Sequence, residues 1–300
     1  MSQPPDIAFT SVPASSTVAP PALAAPAAKP VAWWMLLLIA LLAGGAYANS
    51  LYNNFAFDDL AIVKNNPHVV EFQWTTIWTD NYWPKTEGIQ PDALYRPLTL
   101  WSYIANQVFS ANPGPFHFVN VALHTLISVL VSLLAWRLLG NRIVALVAGI
   151  LFAVHPLHTE VVSNTVGRAE LLAALWSLLA LVIFLQDRPL QEHRPPVIPS
   201  RVPLWQTLAI TAFAILGTLG VLGVWAFWKL PDVPGLYFYG LAGGLLFGLL
   251  TLFAKVPGLT GVRPAWHGFL VAICFFAAIL SKETPITLLA AIPLIDLYRW

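Results

Sequence analysis

The chain has 300 residues, 58% of them hydrophobic and only 10% charged, with a formal net charge of +1. Soluble domains carry roughly 25% charged residues, so a water-solvated globular domain is excluded, and the small net charge leaves no footprint for nucleic acid. The single cysteine, Cys274, lies in an apolar run and excludes an intrachain disulfide.

Residues 1–30 are rich in Pro, Ala and Ser, with Lys29 their one basic residue. They read as a disordered cytoplasmic tail. Apolar stretches follow near 31–49, 116–138, 143–160, 169–186, 205–228, 236–254, 266–281 and 284–297. A bilayer core takes about 20 apolar residues per helix, with length varying with tilt. The expected fold is therefore all-α, a polytopic membrane domain over 31–300 with about eight transmembrane helices. Ala46-Tyr47-Ala48 has the small-x-small pattern of a signal-peptidase site. The long, nearly uncharged stretch before the first run favours a retained helix instead, with Trp33 and Trp34 as interfacial anchors.

Short basic turns set the orientation. The turns 139–142, 187–204 and 255–265 carry arginine or lysine, which puts them and the N-terminus in the cytoplasm. Residues 49–115 then form the one long outer segment. Within it, Phe72 to Trp83 and Tyr95 to Phe109 mix aromatic and polar residues and suit helices lying in the interface. No internal repeat of 20 to 50 residues is evident.

Polar side chains collect at the outer helix ends. Asp58 and Asp59 follow the first span, and Arg96 precedes the second. His117, Asn120 and His124 share one face of the second helix by their spacing. His155, His158 and Glu160 end the third span, Arg168 and Glu170 open the fourth, and Lys282 and Glu283 follow the seventh. Each has a plain reading. One aspartate could cap a helix beginning at Leu60. A lone histidine on an apolar helix is more often a core residue than a ligand. Arg168 with Glu170, and Lys282 with Glu283, could be neighbouring ion pairs of little energetic weight. Arg96 could snorkel to lipid phosphate. Pro156 between His155 and His158 disturbs a helical metal pair, so zinc is the lesser reading and no metal ligands are assigned. Two adjacent carboxylates suit proton abstraction or cation binding better than capping alone. A polar residue at membrane depth usually faces a cavity or a partner, and so many on one face suggest a single outward-facing site.

The order of these segments resembles a known family. Phe57-Asp58-Asp59-Leu60-Ala61-Ile62, Asn65-Asn66-Pro67 and Tyr95-Arg96-Pro97-Leu98-Thr99 are similar to the membrane half of the transmembrane-and-tetratricopeptide-repeat O-mannosyltransferases. So are His117 to His124, His155 to Glu160, Gly167 to Leu172 and Ser281 to Thr284. The resemblance covers roughly 49–186 and, more loosely, 266–297. It implies a GT-C membrane glycosyltransferase with a lipid-phosphate sugar as donor, an extracytoplasmic site and a catalytic acid in the first outer loop. Asp58 and Asp59 are then the base and its partner, in either order. Arg96, Arg168 and Lys282 are the implied phosphate contacts, since a guanidinium suits phosphate oxygens. His155, His158 and Glu160 would orient sugar or acceptor, with His117, Asn120, His124, Glu170 and Glu283 in support. Partners implied are the lipid-linked sugar donor, a translocated protein acceptor and membrane lipid. A divalent cation is compatible with the acidic pair, though nothing requires it. Family members continue into tetratricopeptide repeats, which this sequence does not contain, and 187–265 carries no family motif.

A transporter is the alternative from another class, but coupling sites lie near the midplane between repeated halves, whereas these charges sit at helix ends. Neither His-Glu-x-x-His nor Gly-x-Ser-x-Gly occurs, which argues against a protease. The uncharged Pro/Ala-rich tail suggests a bacterial inner membrane, with the endoplasmic reticulum as the alternative.

Overall fold

The computed structural model describes residues 30–84, 94–185, 265–288 and 291–292. Among these, regular structure is entirely helical. Helix α1 (Trp33–Ala46) is apolar on every side, as a helix surrounded by lipid or protein must be. Loop 53–84 contains a π turn over Leu60–Lys64, a single turn α2 (Pro67–Val70) and a 3-10 turn over Thr76–Trp78. The expected interfacial helix over Phe72 to Trp83 does not form beyond that last turn. The second one does form, as α3 (Pro97–Phe109).

Helix α4 (Pro113–Leu139) begins on Pro113, Gly114 and Pro115; proline at the first helical positions loses no hydrogen bond. It ends at Gly140, whose φ of 64° suits glycine and lets its N–H reach the Trp136 carbonyl at 2.8 Å. Asn141 then caps α5 (Arg142–Val154), its Oδ1 accepting from the N–H groups of Ile143 and Val144. That two-residue reversal makes α4 and α5 antiparallel neighbours. A 3-10 turn over Pro156–His158, the short α6 (Thr159–Val162) and a 3-10 turn over Thr165–Gly167 lead into α7 (Arg168–Phe184). Helix α8 (Ala265–Ser281) follows, then a 3-10 turn over Thr284–Thr287.

Among the described residues, Pro113–Leu139 and Thr165–Phe184 are long and apolar enough to cross a membrane. Arg142–Val154 with Pro156–Val162 adds a third if that pair, bent by 45°, is one span. The expected continuous helix 143–160 breaks because His155 precedes proline and takes an extended conformation, φ −66° and ψ 125°. Helix α1 and residues Leu270–Ser281 are shorter apolar helices. The expected tail up to residue 29, the spans 205–228 and 236–254, most of 284–297 and the turns 187–204 and 255–264 lie outside the described residues.

Packing gathers the helices in two contacting groups. Ile39, Ala43 and Ala153 join α1 to α4 and α5. Gly149 permits this approach, since a Cβ there would stand 2.6 Å from Ile39 Cδ1 and 2.9 Å from Ser132 Cβ. Val271 and Cys274 of α8 pack with Ala180 and Phe184 of α7, and Phe275 and Ile279 pack with Tyr95. Loop 53–84 lies on α3 through Ile62, Val69, Ile77 and Tyr82 against Leu100, Tyr103 and Ile104. Cross-links between helix ends fix their directions. The Tyr47 hydroxyl donates to the His155 carbonyl at 2.6 Å, and Thr99 Oγ1 donates to the Ser281 carbonyl at 2.8 Å. The C-terminal ends of α1, α5 and α8 therefore share one end of the bundle with the N-terminal ends of α4 and α7. Loop 53–84 and α3 cover that end.

Candidate functional site

The two aspartates occupy different environments. Asp59 is 1% exposed. Its Oδ2 accepts from the Ala56 N–H at 3.2 Å and its Oδ1 from the Val166 N–H at 2.9 Å. The carboxylate thus closes its own turn and ties it to the segment before α7. It caps nothing at Leu60, so the simple capping expectation fails. Asp58, one residue earlier, is exposed. Phe57 before it has φ 48°, a left-handed conformation that costs a non-glycine residue roughly 1–2 kcal/mol. The turn is overdetermined: besides the Asp59 carboxylate, the Asp59 N–H donates to the Ala56 carbonyl and the Leu60 N–H to the Phe57 carbonyl.

Arg168 lies under this turn, wholly buried. Its Nε donates to Asn120 Oδ1 at 3.0 Å, and its Nη1 to the Ser102 carbonyl at 3.2 Å. Its Nη2 donates to Asn106 Oδ1 at 3.0 Å and to the Phe116 carbonyl at 2.8 Å. The guanidinium also stacks over the Tyr103 ring, 4.9 Å from its centroid. Among the described residues no carboxylate bonds it. Its charge is carried by amide and carbonyl dipoles and two aromatic faces, an arrangement that satisfies a buried arginine internally. Asn120 returns a hydrogen bond to the Asn164 carbonyl at 2.9 Å.

The remaining charges pair across elements, not with their sequence neighbours. Arg96 makes a two-pronged contact with Glu283, 3.1 Å from Nε and 2.7 Å from Nη2. Lys282 binds Glu170. The expected neighbouring pairs, Arg168 with Glu170 and Lys282 with Glu283, give way to links that tie α3 to the segment after α8, and that segment to α7. In both pairs the cation lies deeper: Arg96 is 12% exposed against 39% for Glu283, and Lys282 18% against 40% for Glu170. Burial pushes the Glu283 carboxyl up, but the hydrogen bonds and charge of Arg96 outweigh it and hold it below its usual value. Arg96 also stands over the Tyr82 ring at 5.1 Å. Burial lifts the Tyr82 phenol to about 12. It therefore stays protonated, in contact with the Tyr103 hydroxyl at 3.4 Å. Tyr103 donates to the Thr165 carbonyl at 3.3 Å, next to the Val166 that binds Asp59. One contiguous set of contacts thus runs from Glu283 and Arg96 through Tyr82 and Tyr103 to Asp59.

His124, His155 and His158 form a separate group. His124 is buried, its Nε2 3.0 Å from the Ala153 carbonyl. Its ring lies 5.3 Å from that of His158, which is 5.8 Å from that of His155. His155 and Glu160 are exposed. His117 is buried on the same face of α4, near Asp59, Arg168 and the Asn54 backbone. Among the described residues no three His, Cys, Asp or Glu side chains are arranged to hold a metal ion. Ser102, Asn106, Tyr82 and Tyr103 belong to this site without having stood out in the sequence. Their positions on one face of α3, or in an aromatic-rich loop, look like ordinary packing until the segment that supplies Arg168 is in place.

No family model matches the chain, and no solved structure matches it. Among the curated proteins it resembles the protein O-mannosyl-transferase TMTC1 of Mus musculus, 40% identical over 156 residues. It also resembles TMTC2 of Mus musculus, 35% identical over 145 residues, and TMTC3 of Homo sapiens, 31% identical over 173. These matches cover 48%, 47% and 56% of this chain but only 16%, 17% and 18% of the respective relatives. The chain therefore spans a small part of the length of the relatives it matches. Over that shared stretch it is similar to the TMTC protein O-mannosyl-transferases.

Proposed function

We propose that this chain carries the membrane-embedded catalytic part of a GT-C-like O-mannosyltransferase of about eight spans. It transfers mannose, or a similar hexose, from a polyprenyl- or dolichyl-phosphate carrier to a protein Ser or Thr hydroxyl on the extracytoplasmic face. The names of the relatives support the reaction. The relatives come from mouse, frog and human, which favours the endoplasmic reticulum over a bacterial inner membrane.

The observation that carries the reading is the split between the two acids. Asp58 has an exposed carboxylate on a turn that buried Asp59 pins to the bundle. A base must be reachable and fixed, and Asp58 meets both needs. The acceptor oxygen attacks the anomeric carbon, its proton passes to Asp58, and the bond to the carrier phosphate breaks. A single displacement inverts that carbon. Arg96 and Lys282, each half-covered by a carboxylate, are the phosphate contacts. Arg168, with its donors spent inside the protein, holds the site together and does not touch the donor. His155, His158 and Glu160 orient sugar or acceptor, and His117, Asn120 and His124 support them from α4.

The test is mannosyl transfer from dolichyl-phosphate mannose to a Ser/Thr peptide by the protein in lipid, alongside a melting curve. Asp58→Asn is expected to lower the rate by about 10²–10⁴-fold at unchanged Tm. Full activity with that carboxylate removed would exclude it as the base.

A further inference from the structure

Phe57 stands immediately before Asp58 on the aspartate turn. It is 89% exposed and holds φ 48°, where glycine would sit without strain. Phe72 also has positive φ, at 54°, but it follows the short helix α2, and a left-handed residue just past a helix end is ordinary. No helix ends immediately before Phe57, since the 3-10 turn over Ala48–Tyr52 stops five residues earlier. A bulky aromatic is thus held outward from a pinned turn, directly beside Asp58, in a conformation that penalises every side chain. Strain of this kind persists only where the surroundings enforce it, and it concentrates at functional positions.

The chemistry says which substrate it meets. In an in-line displacement the incoming oxygen and the departing phosphate stand on opposite sides of the anomeric carbon. The base lies on the side of the incoming oxygen. Consecutive Cα atoms are about 3.8 Å apart, so the exposed Phe57 ring starts from within reach of the space where Asp58 would meet the incoming oxygen. Resting on the transferase reading, we propose that Phe57 is the acceptor-side wall of the site, its exposed ring packing on the polypeptide that flanks the hydroxyl facing Asp58. An apolar wall of this sort binds by area and shape, which suits an acceptor defined by a hydroxyl more than by its neighbours.

Two measurements on the full chain in nanodiscs test this. First, a photo-crosslinking phenylalanine analogue replaces Phe57, and in a separate control Tyr52, which is similarly exposed. A Ser/Thr-containing peptide is expected to crosslink at 57 well above 52 and to be displaced by unlabelled peptide. Crosslinking to lipid alone would make Phe57 a membrane anchor and overturn the proposal. Second, Phe57→Gly relieves the backbone strain while removing the ring. It is expected to raise the peptide KM by about tenfold with the donor KM unchanged, and Phe57→Leu to restore most of the loss. A peptide KM for Phe57→Gly equal to that of the wild type would reduce Phe57 to a loop residue. The crosslink needs no turnover. Crosslinking without transfer would therefore count against the transferase reading alone, and transfer without crosslinking against the wall alone.

Discussion

Neighbouring carboxylates on one turn can do unlike work, and Asp58 and Asp59 separate cleanly by what they touch. Asp59→Asn keeps one acceptor oxygen but turns an amide toward a buried N–H donor. It is expected to cost about 1–3 kcal/mol, read as a lowered Tm, whereas Asp58→Asn leaves Tm alone. Arg168→Lys keeps the charge but cannot reach Asn120, Asn106 and two carbonyls together from one ammonium. Its expected effect is a loss of about 3 kcal/mol or more, seen in the melting curve. A raised donor KM at unchanged Tm would instead make Arg168 a phosphate contact. Sequence alone marked the acids, the cations and the histidines as special, because charge in an apolar chain stands out. It could not tell which aspartate is buried or which cation is spent internally. Those outcomes depend on amides and carbonyls brought from residues 48 to 107 positions away.

At the level of elements, hydrophobic runs located α4, α7 and α8 close to their expected bounds, because uninterrupted apolar composition leaves few alternatives in a bilayer. The break at His155 was visible only as a proline, and its 45° bend is a matter of backbone sterics that hydropathy does not register. The turn before α7 is the tightest junction. A Cβ on Gly167 would lie 2.1 Å from the Val161 carbonyl oxygen and 2.7 Å from its carbon, and backbone atoms cannot rotate aside. Gly167→Ala must therefore displace the turn that presents the Val166 N–H to Asp59. It is expected to destabilise the protein by about 3 kcal/mol and to lose activity with it. Thermal melting and transfer measured together check this. Gly167→Ala with normal melting would mean that the turn is looser than its contacts imply.

For the molecule as a whole, the Arg96–Glu283 contact closes a loop of 187 residues and decides how α3 sits on the bundle end. Glu283 titrates below its usual 4.5 in the folded state. Its ion pair therefore adds stability above that ordinary value and loses it as pH falls through the depressed one. The wild type is expected to melt higher than Glu283→Gln at pH 7, with the gap closing as the pH drops below about 4.5. The gap is small, because the carboxylate is 39% exposed. A gap that does not change with pH would mean that the glutamate acts by shape alone.

The arginine buried beneath the aspartate turn also has a history in time. Synthesis delivers Ser102, Asn106 and Asn120 first and Arg168 only 66, 62 and 48 residues later. Until then the amides on α3 and α4 have no cation to meet. Once made, the arginine has nowhere inexpensive to rest in hydrocarbon except among them. The polar seam between α3 and α4 is therefore completed only once α7 has been made. Assembly of this end of the bundle is thus a late, concerted event, and a ribosome that stalls before residue 168 would release a chain with its polar seam open to capture by membrane quality control.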